Sequence, residues 1–282
     1  MRFVFYWCGH DESDNIDYNT RPMSEVELLF LGTGTSAGIP MIGCECDTCQ
    51  STDLRDKRTR PSVVISYHGK TVLVDTTPEL RLQALAQQLK HIDAVVYTHA
   101  HADHIMGLDD LRRFNAIKEG PLDIWADQQT YQTLMQCFGY AFKKPAADSK
   151  VFRPHLIHCL IEKEFEVEGL KWIPIPMMHG EMPVLGFRVG NLAYCTDVSK
   201  IPESSYALLQ GLDVLILDAL QWKKHTTHLT IEEAIAVTRR VKPKRTYFTH
   251  IAHALKHEPT NAVLPNGIEL AYDGLRIKAT IE

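Results

Sequence analysis

The chain has 282 residues, 45% of them hydrophobic and 23% charged, with a formal net charge of -5. That is enough to bury a sizeable core, and it fits one large domain better than two ordinary ones. The acidic balance and the lack of a basic tail turn the overall field away from nucleic acid, and the strand-sized apolar runs exclude a membrane-spanning helix.

The aromatic start Phe3-Val4-Phe5-Tyr6-Trp7 is shorter than a signal-peptide core and runs into Asp11-Glu12-Ser13-Asp14-Asn15 without a small-residue cleavage site. A cytoplasmic protein is therefore expected. Residues 1–22 are expected to be a disordered N-terminal extension, and Met23 would serve equally well as a start. One domain is expected over 23–282, with folded structure beginning near Glu25. Val26 to Leu31 is a first strand, ending in Gly32-Thr33-Gly34-Thr35-Ser36-Ala37-Gly38. This turn has neither the P-loop lysine nor the complete G-x-G-x-x-G spacing, so it reads as a wall of a site and not as a phosphate cradle.

Cys44-Glu45-Cys46-Asp47-Thr48-Cys49 follows in a turn-rich segment. With three of seven cysteines packed this closely, metal ligation is a better reading than a disulfide framework. Three thiolates can fold around one tetrahedral ion that takes a fourth ligand from elsewhere; reduced loop thiols are the alternative. Arg55, Lys57, Arg58 and Arg60 read as a solvated loop, with phosphate contact the minority reading.

Val63 to Tyr67 and Thr71 to Asp75 form a hairpin, and Pro78 to Leu89 a helix with proline in its first turn. A strand from Asp93 delivers Thr98-His99-Ala100-His101-Ala102-Asp103-His104. Four potential ligands in six residues at a strand end, separated by alanines that leave room near the backbone, predict a two-metal site. A polar histidine-rich loop is the bland alternative. Helices are expected at Leu108 to Lys118 and Gln128 to Phe138, with a strand at Leu122 to Ala126 between them. Residues 140–165 are hard to place, and His155 and His158 read as ordinary surface or loop histidines. Trp172 to His179 is a strand; Val184 to Val189 and Leu192 to Thr196 pair across Gly190-Asn191, and Asp197 ends the second of them. Val214 to Leu217 ends in Asp218, Thr230-Ile231-Glu232-Glu233 caps a helix to about Val241, and Arg245 to Thr249 ends in His250. Histidine or aspartate thus terminates strand after strand.

Asp75, the His99-x-His101-x-Asp103-His104 run, His179, Asp197 and His250 resemble the metallo-β-lactamase superfamily in residue type and order, from Glu25 almost to the C-terminus. The resemblance implies an α/β fold, a four-layer αββα sandwich with metals at one edge. It implies one ion on His99, His101 and His179, a second on Asp103, His104 and His250, and Asp197 between them, with Asp75 bracing the histidine loop. The triad Cys44, Cys46 and Cys49 resembles the phosphoribosyl cyclic phosphodiesterase branch of the carbon-phosphorus lyase pathway. That branch implies a structural zinc with His253 as fourth ligand, Cys8 being a weaker candidate. It also implies a histidine near the leaving group, which His228 fits, with His225 the neighbouring alternative.

The cofactors implied are two divalent ions, Zn or Mn or Fe, and one structural Zn. Two such ions activate a shared water and clamp an in-line displacement at phosphorus. The expected enzyme is a metal-dependent phosphodiesterase acting on a small diester, cyclic ones included, with His228 and Asp103 as catalytic residues. Its rivals are a tRNA 3'-processing ribonuclease, to which Arg239, Arg240, Lys242, Lys244 and Arg245 would offer RNA contacts, a carbonyl-directed hydrolase, and a zinc-stabilised binding protein. No membrane partner is expected, and a homodimer would be unsurprising. Asp218 is left open between a site wall, an outer hydrogen-bond acceptor and a structural carboxylate.

Overall fold

The computed structural model describes residues 25–144 and 152–281. The expected extension 1–22, Met23, Pro145 and Cys8 lie outside them. The strands are β1 (Glu25–Gly32), β2 (Ser62–Tyr67), β3 (Lys70–Val74), β4 (Ala94–Val96), β5 (Leu122–Ala126), β6 (Leu156–Leu160), β7 (Phe165–Val167), β8 (Leu170–His179), β9 (Met182–Val189), β10 (Leu192–Cys195), β11 (Val214–Asp218), β12 (Arg245–Thr249), β13 (Ile268–Leu270) and β14 (Arg276–Thr280). The helices are α1 (Leu80–Ala86), α2 (Ala102–Ile105), α3 (Leu111–Lys118), α4 (Gln128–Phe138), α5 (Ile231–Val241) and α6 (His257–Asn261).

The strands form two 7-stranded sheets, ordered β14-β1-β2-β3-β4-β5-β6 and β13-β12-β11-β10-β9-β8-β7. Both are mixed. In each, hairpins supply the antiparallel part, as in β2 with β3 and β9 with β10, and crossovers supply the parallel part, as in β3-β4-β5 and β10-β11-β12. Both faces of each sheet are covered. Phe30, Ile65, Trp172, Phe187 and Tyr194 fill the space between the sheets. Leu31, Leu73 and Val95 pack outward against Leu80, Phe114 and Leu134 of α1, α3 and α4, while Leu215, Leu217 and Phe248 pack against Ile231 and Ala234 of α5. Two-sided burial explains why the strands read as continuous apolar runs and not as alternating ones. The result is the expected four-layer αββα sandwich.

Several boundaries differ from the sequence reading. The helix expected over 78–89 is only α1, because Gln88 turns left-handed at φ 54° and the N–H groups of Gln88 and Leu89 fold back onto Leu85 and Ala84. Part of 140–165 supplies β6, which pairs in parallel with β5, and His158 sits in that strand, stacked on Tyr131 with ring centroids 3.6 Å apart. β13 and β14 are further short strands, and β14 joins β1 and completes the first sheet near the chain's end.

Candidate metal centre

Asp75 and His250 directly follow β3 and β12, Asp197 follows β10 with one residue between, and each holds a positive φ, at 62°, 52° and 59° in the order Asp75, Asp197, His250. A non-glycine residue there carries backbone strain of roughly 1–3 kcal/mol, and such strain clusters where a side chain must be aimed. Here the turn swings all three side chains toward the same sheet edge, where α2 brings Asp103 and His104.

Asp103, His104, Asp197 and His250 present ligand atoms all within 4.8 Å of one another. His104 Nε2 lies 3.3 Å from Asp197 Oδ1 and 3.5 Å from Asp103 Oδ2; His250 Nε2 lies 3.3 Å from Asp197 Oδ2 and 3.6 Å from Asp103 Oδ2. His99 and His101 form a second group with Asp197, and His179 a third with Asp197 and His228, each again within 4.8 Å. Asp197 is common to all three. The His179 ring lies 5.1 Å from that of His101 and 5.9 Å from that of His99, and nearer, at 4.5 Å, to that of His228.

The ring orientations are fixed from behind. Asp75, fully buried, accepts from Thr98 N, Thr98 Oγ1 and His104 Nδ1 at 2.9, 2.8 and 2.7 Å. Because Thr98 Oγ1 donates to Asp75, it accepts from His99 Nδ1 at 3.0 Å. His179 Nδ1 donates to Thr227 O at 2.7 Å. Each bond leaves Nε2 facing inward with its lone pair, the tautomer a metal ligand needs. Among the described residues, His99 Nε2, His104 Nε2 and both ring nitrogens of His250 are buried without a hydrogen-bond partner. Buried polar atoms are rarely left so, and convergent ring nitrogens beside two carboxylates are a donor set that fits divalent cations.

The electrostatics agree. Burial drives the His99 and His179 rings toward their neutral forms, His179 down to about 4. Burial opposes the charge on Asp197, but the positive charges of His250 and His104 outweigh it and hold the carboxyl below the usual range. At His250 burial is likewise outweighed, chiefly by Asp197, and the ring is pushed up to about 9. A proton held there answers the carboxylates, and a bound cation would displace it.

His228 lies in the same pocket wall, its ring 4.5 Å from those of His179 and His250. Its Nδ1 donates to Asp218 Oδ2 at 2.7 Å, and that oxygen also accepts from Val198 N at 2.8 Å. The sequence reading left Asp218 undecided; the structure makes it the acceptor that orients His228. His225 is bonded to Thr227 at the loop surface and does not share this acceptor. Beside His99 and His101 lies a cavity of about 150 Å³, also lined by Asp127, Gln129, Thr133, Met182 and Pro183. The α4 residues and the β8-β9 turn carry no motif, so only their placement identifies them.

The cysteine triad forms a separate cluster. Cys44, Cys46 and Cys49 place their Sγ atoms 3.2, 3.5 and 3.9 Å from His253 Nδ1, and the four ligand atoms lie within 4.8 Å of one another. The Cys49 N–H donates to Cys46 Sγ and, as the largest influence, lowers that thiol to about 6. Thiolates and one imidazole at these separations fit a tetrahedral ion about 2.3 Å from each sulfur. Cys46→Ser is expected to release one tightly held zinc per chain and to lower the melting temperature; elemental analysis beside thermal unfolding checks both, and unchanged zinc would refute the assignment.

A model of the beta-lactamase superfamily domain matches residues 70–251. A solved structure described as a new diphosphatase from the PhnP family superposes with a TM-score of 0.85 at 45% identity, covering 92% of this chain and 99% of that one. Among curated relatives, coenzyme PQQ synthesis protein B of Methylobacterium nodulans is 31% identical over 310 residues, covering 90% of this chain and 100% of that protein. An octanoyltransferase of Porphyromonas gingivalis is 36% identical over 255 residues, covering 89% of this chain but 51% of that protein, so this chain spans about half its length. The chain belongs to the metallo-β-lactamase superfamily, where it is a metal-dependent hydrolase of the PhnP branch. The cysteine triad had pointed to such a branch from sequence.

Proposed function

We propose that the chain is a phosphodiesterase acting on a small phosphodiester, cyclic diesters included, at a two-metal centre. The observation that carries the reading is the position of Asp197, common to the three ligand groups that contain His99, His101, Asp103, His104, His179 and His250, with His228 beside it and backed by its own carboxylate, Asp218. His99, His101 and His179 would hold one ion and Asp103, His104 and His250 the other, with Asp197 between them. Bound there, the ions would supply an activated water near neutral pH and would offset the charge of a phosphoryl group.

The chain's own residues do the rest. Asp75 and Thr98 keep His99 and His104 from rotating, so the donor set is preorganised. Asp218 holds His228 with Nε2 toward the centre and offsets the charge of the protonated ring, which suits it to deliver a proton to a departing alkoxide. Asp103 would be catalytic through the ion it helps to hold. The neighbour described as a diphosphatase supports chemistry at phosphorus. The octanoyltransferase name describes a protein about twice as long and is not carried to this chain.

The test is metal content measured together with hydrolysis of bis(p-nitrophenyl) phosphate, ribose cyclic phosphates and a diphosphate ester. The protein is purified without chelator, stripped, then resupplied with Zn or Mn. About three metals per chain, with turnover lost on stripping and restored by metal, is the expected result. One tightly held zinc and no turnover with any phosphorus ester would refute the proposal. No helix among the described residues is long and apolar enough to cross a membrane.

A further inference from the structure

A pair of buried charges outside the two ligand clusters lies behind the loop that carries both His250 and His253. Arg58, expected from sequence to be solvated, is 1% exposed. A guanidinium remains charged in a protein, so its burial has to be met by specific partners. Nη1 donates to Leu255 O at 2.9 Å, and Nη2 lies 3.4 Å from Asp56 Oδ1. The same Asp56 oxygen accepts from His257 N at 2.8 Å. On the other side, the main chain of Arg58 pairs with Ile39 in both directions. Gly34 packs so closely that a Cβ there would lie 2.8 Å from Arg58 O.

The loop from His250 to His257 is therefore fastened at several places, the bond from Ala252 N to Leu220 O among them. Ile251 donates to Thr33 O and accepts from Thr35 N of the glycine-rich turn. His253 meets the cysteines. Leu255 and His257 meet Arg58 and Asp56, with no metal involved. Apolar side chains would hold two loops together at lower desolvation cost than a buried ion pair. What the arginine adds is direction, because a planar fork fixes where one carbonyl sits.

We propose that Arg58, with Asp56, is a positioning residue for His250, holding the loop so that this ligand stands beside Asp103 and Asp197 independently of the cysteine cluster. The inference rests on the two-metal reading above and adds to it the device that places one ligand.

Arg58→Gln removes the fork, and Arg58→Lys keeps the charge and carries the comparison where the glutamine variant does not fold. Each is stripped and titrated with Zn and Mn. Metal binding is followed by calorimetry and elemental analysis, and thermal unfolding and turnover are measured in parallel. The expected result for Arg58→Gln is one tightly held zinc, as in the unaltered protein, with affinity for the remaining metal weakened about 10- to 100-fold. Arg58→Lys should fall between. A lower melting temperature with unchanged affinity for every metal would make Arg58 merely structural. Loss of the tight zinc first would place its role at the cysteines. Either result overturns the inference while leaving the two-metal reading intact. Unaltered protein that takes up only the one tight zinc overturns both.

Discussion

Asp197→Asn is expected to lose metal from the two-metal centre and to lower turnover by at least about 100-fold, the upper end of what losing a residue merely behind a ligand costs. Asparagine preserves volume and tolerates the left-handed backbone at φ 52°, so the change isolates the charge. Asp197 is 2% exposed and lies between His104, His250 and His99, at 3.3, 3.3 and 3.8 Å. It belongs to three of the ligand groups at the site. Without it, two cations would have to share a buried pocket with Asp103 as the remaining carboxylate ligand. The zinc at the cysteines should persist, since none of its ligands touches Asp197. Elemental analysis and steady-state rates settle the matter: a variant with full metal content and turnover within tenfold of the parent would remove Asp197 from the centre.

His228→Ala should lower turnover by about 10²- to 10⁴-fold, the usual worth of a positioned proton donor, while metal content stays unchanged. The size of the loss should depend on the leaving group. A nitrophenolate departs without needing a proton, whereas the alkoxide released from a ribose cyclic phosphate needs one, so the variant should suffer more on the cyclic substrate. Asp218→Asn should show the same selectivity in weaker form, because it disturbs only the orientation of the ring. The leaving-group comparison separates this role from metal ligation, which the closeness of His228 to His179 and Asp197 also allows. An equal loss on both substrates, accompanied by loss of metal, would make His228 a ligand instead.

The His99-x-His101-x-Asp103-His104 run, the strand-ending Asp75, His179, Asp197 and His250, and the Cys44, Cys46 and Cys49 triad were all legible in the sequence. Local chain geometry sets their spacing, and apolar runs ending in a polar ligand mark strand ends. The alternation of apolar strands with helices likewise indicated the layered sandwich. His253 and His228 were legible only through the resemblance, because each meets its cluster across a large sequence separation.

Other features depended on tertiary structure. A run of Arg55, Lys57, Arg58 and Arg60 looks solvated because composition carries no record of which cation lies under a neighbouring loop; Leu255 O and Asp56 decide it for Arg58. Asp218 was ambiguous as a strand-end carboxylate until the turn after β11 brought His228 to it. His158 looked like a loop residue because β6 is a short edge strand; only its pairing with β5, joined by His158 Nε2 at 3.1 Å from Ala126 O, shows otherwise. Local spacing and hydrophobic pattern are thus enough to mark the candidate ligands, their order and the layered architecture. Only the tertiary structure decided which ring is backed by which carboxylate and which charge is buried, because those depend on atoms made neighbours by sheet packing.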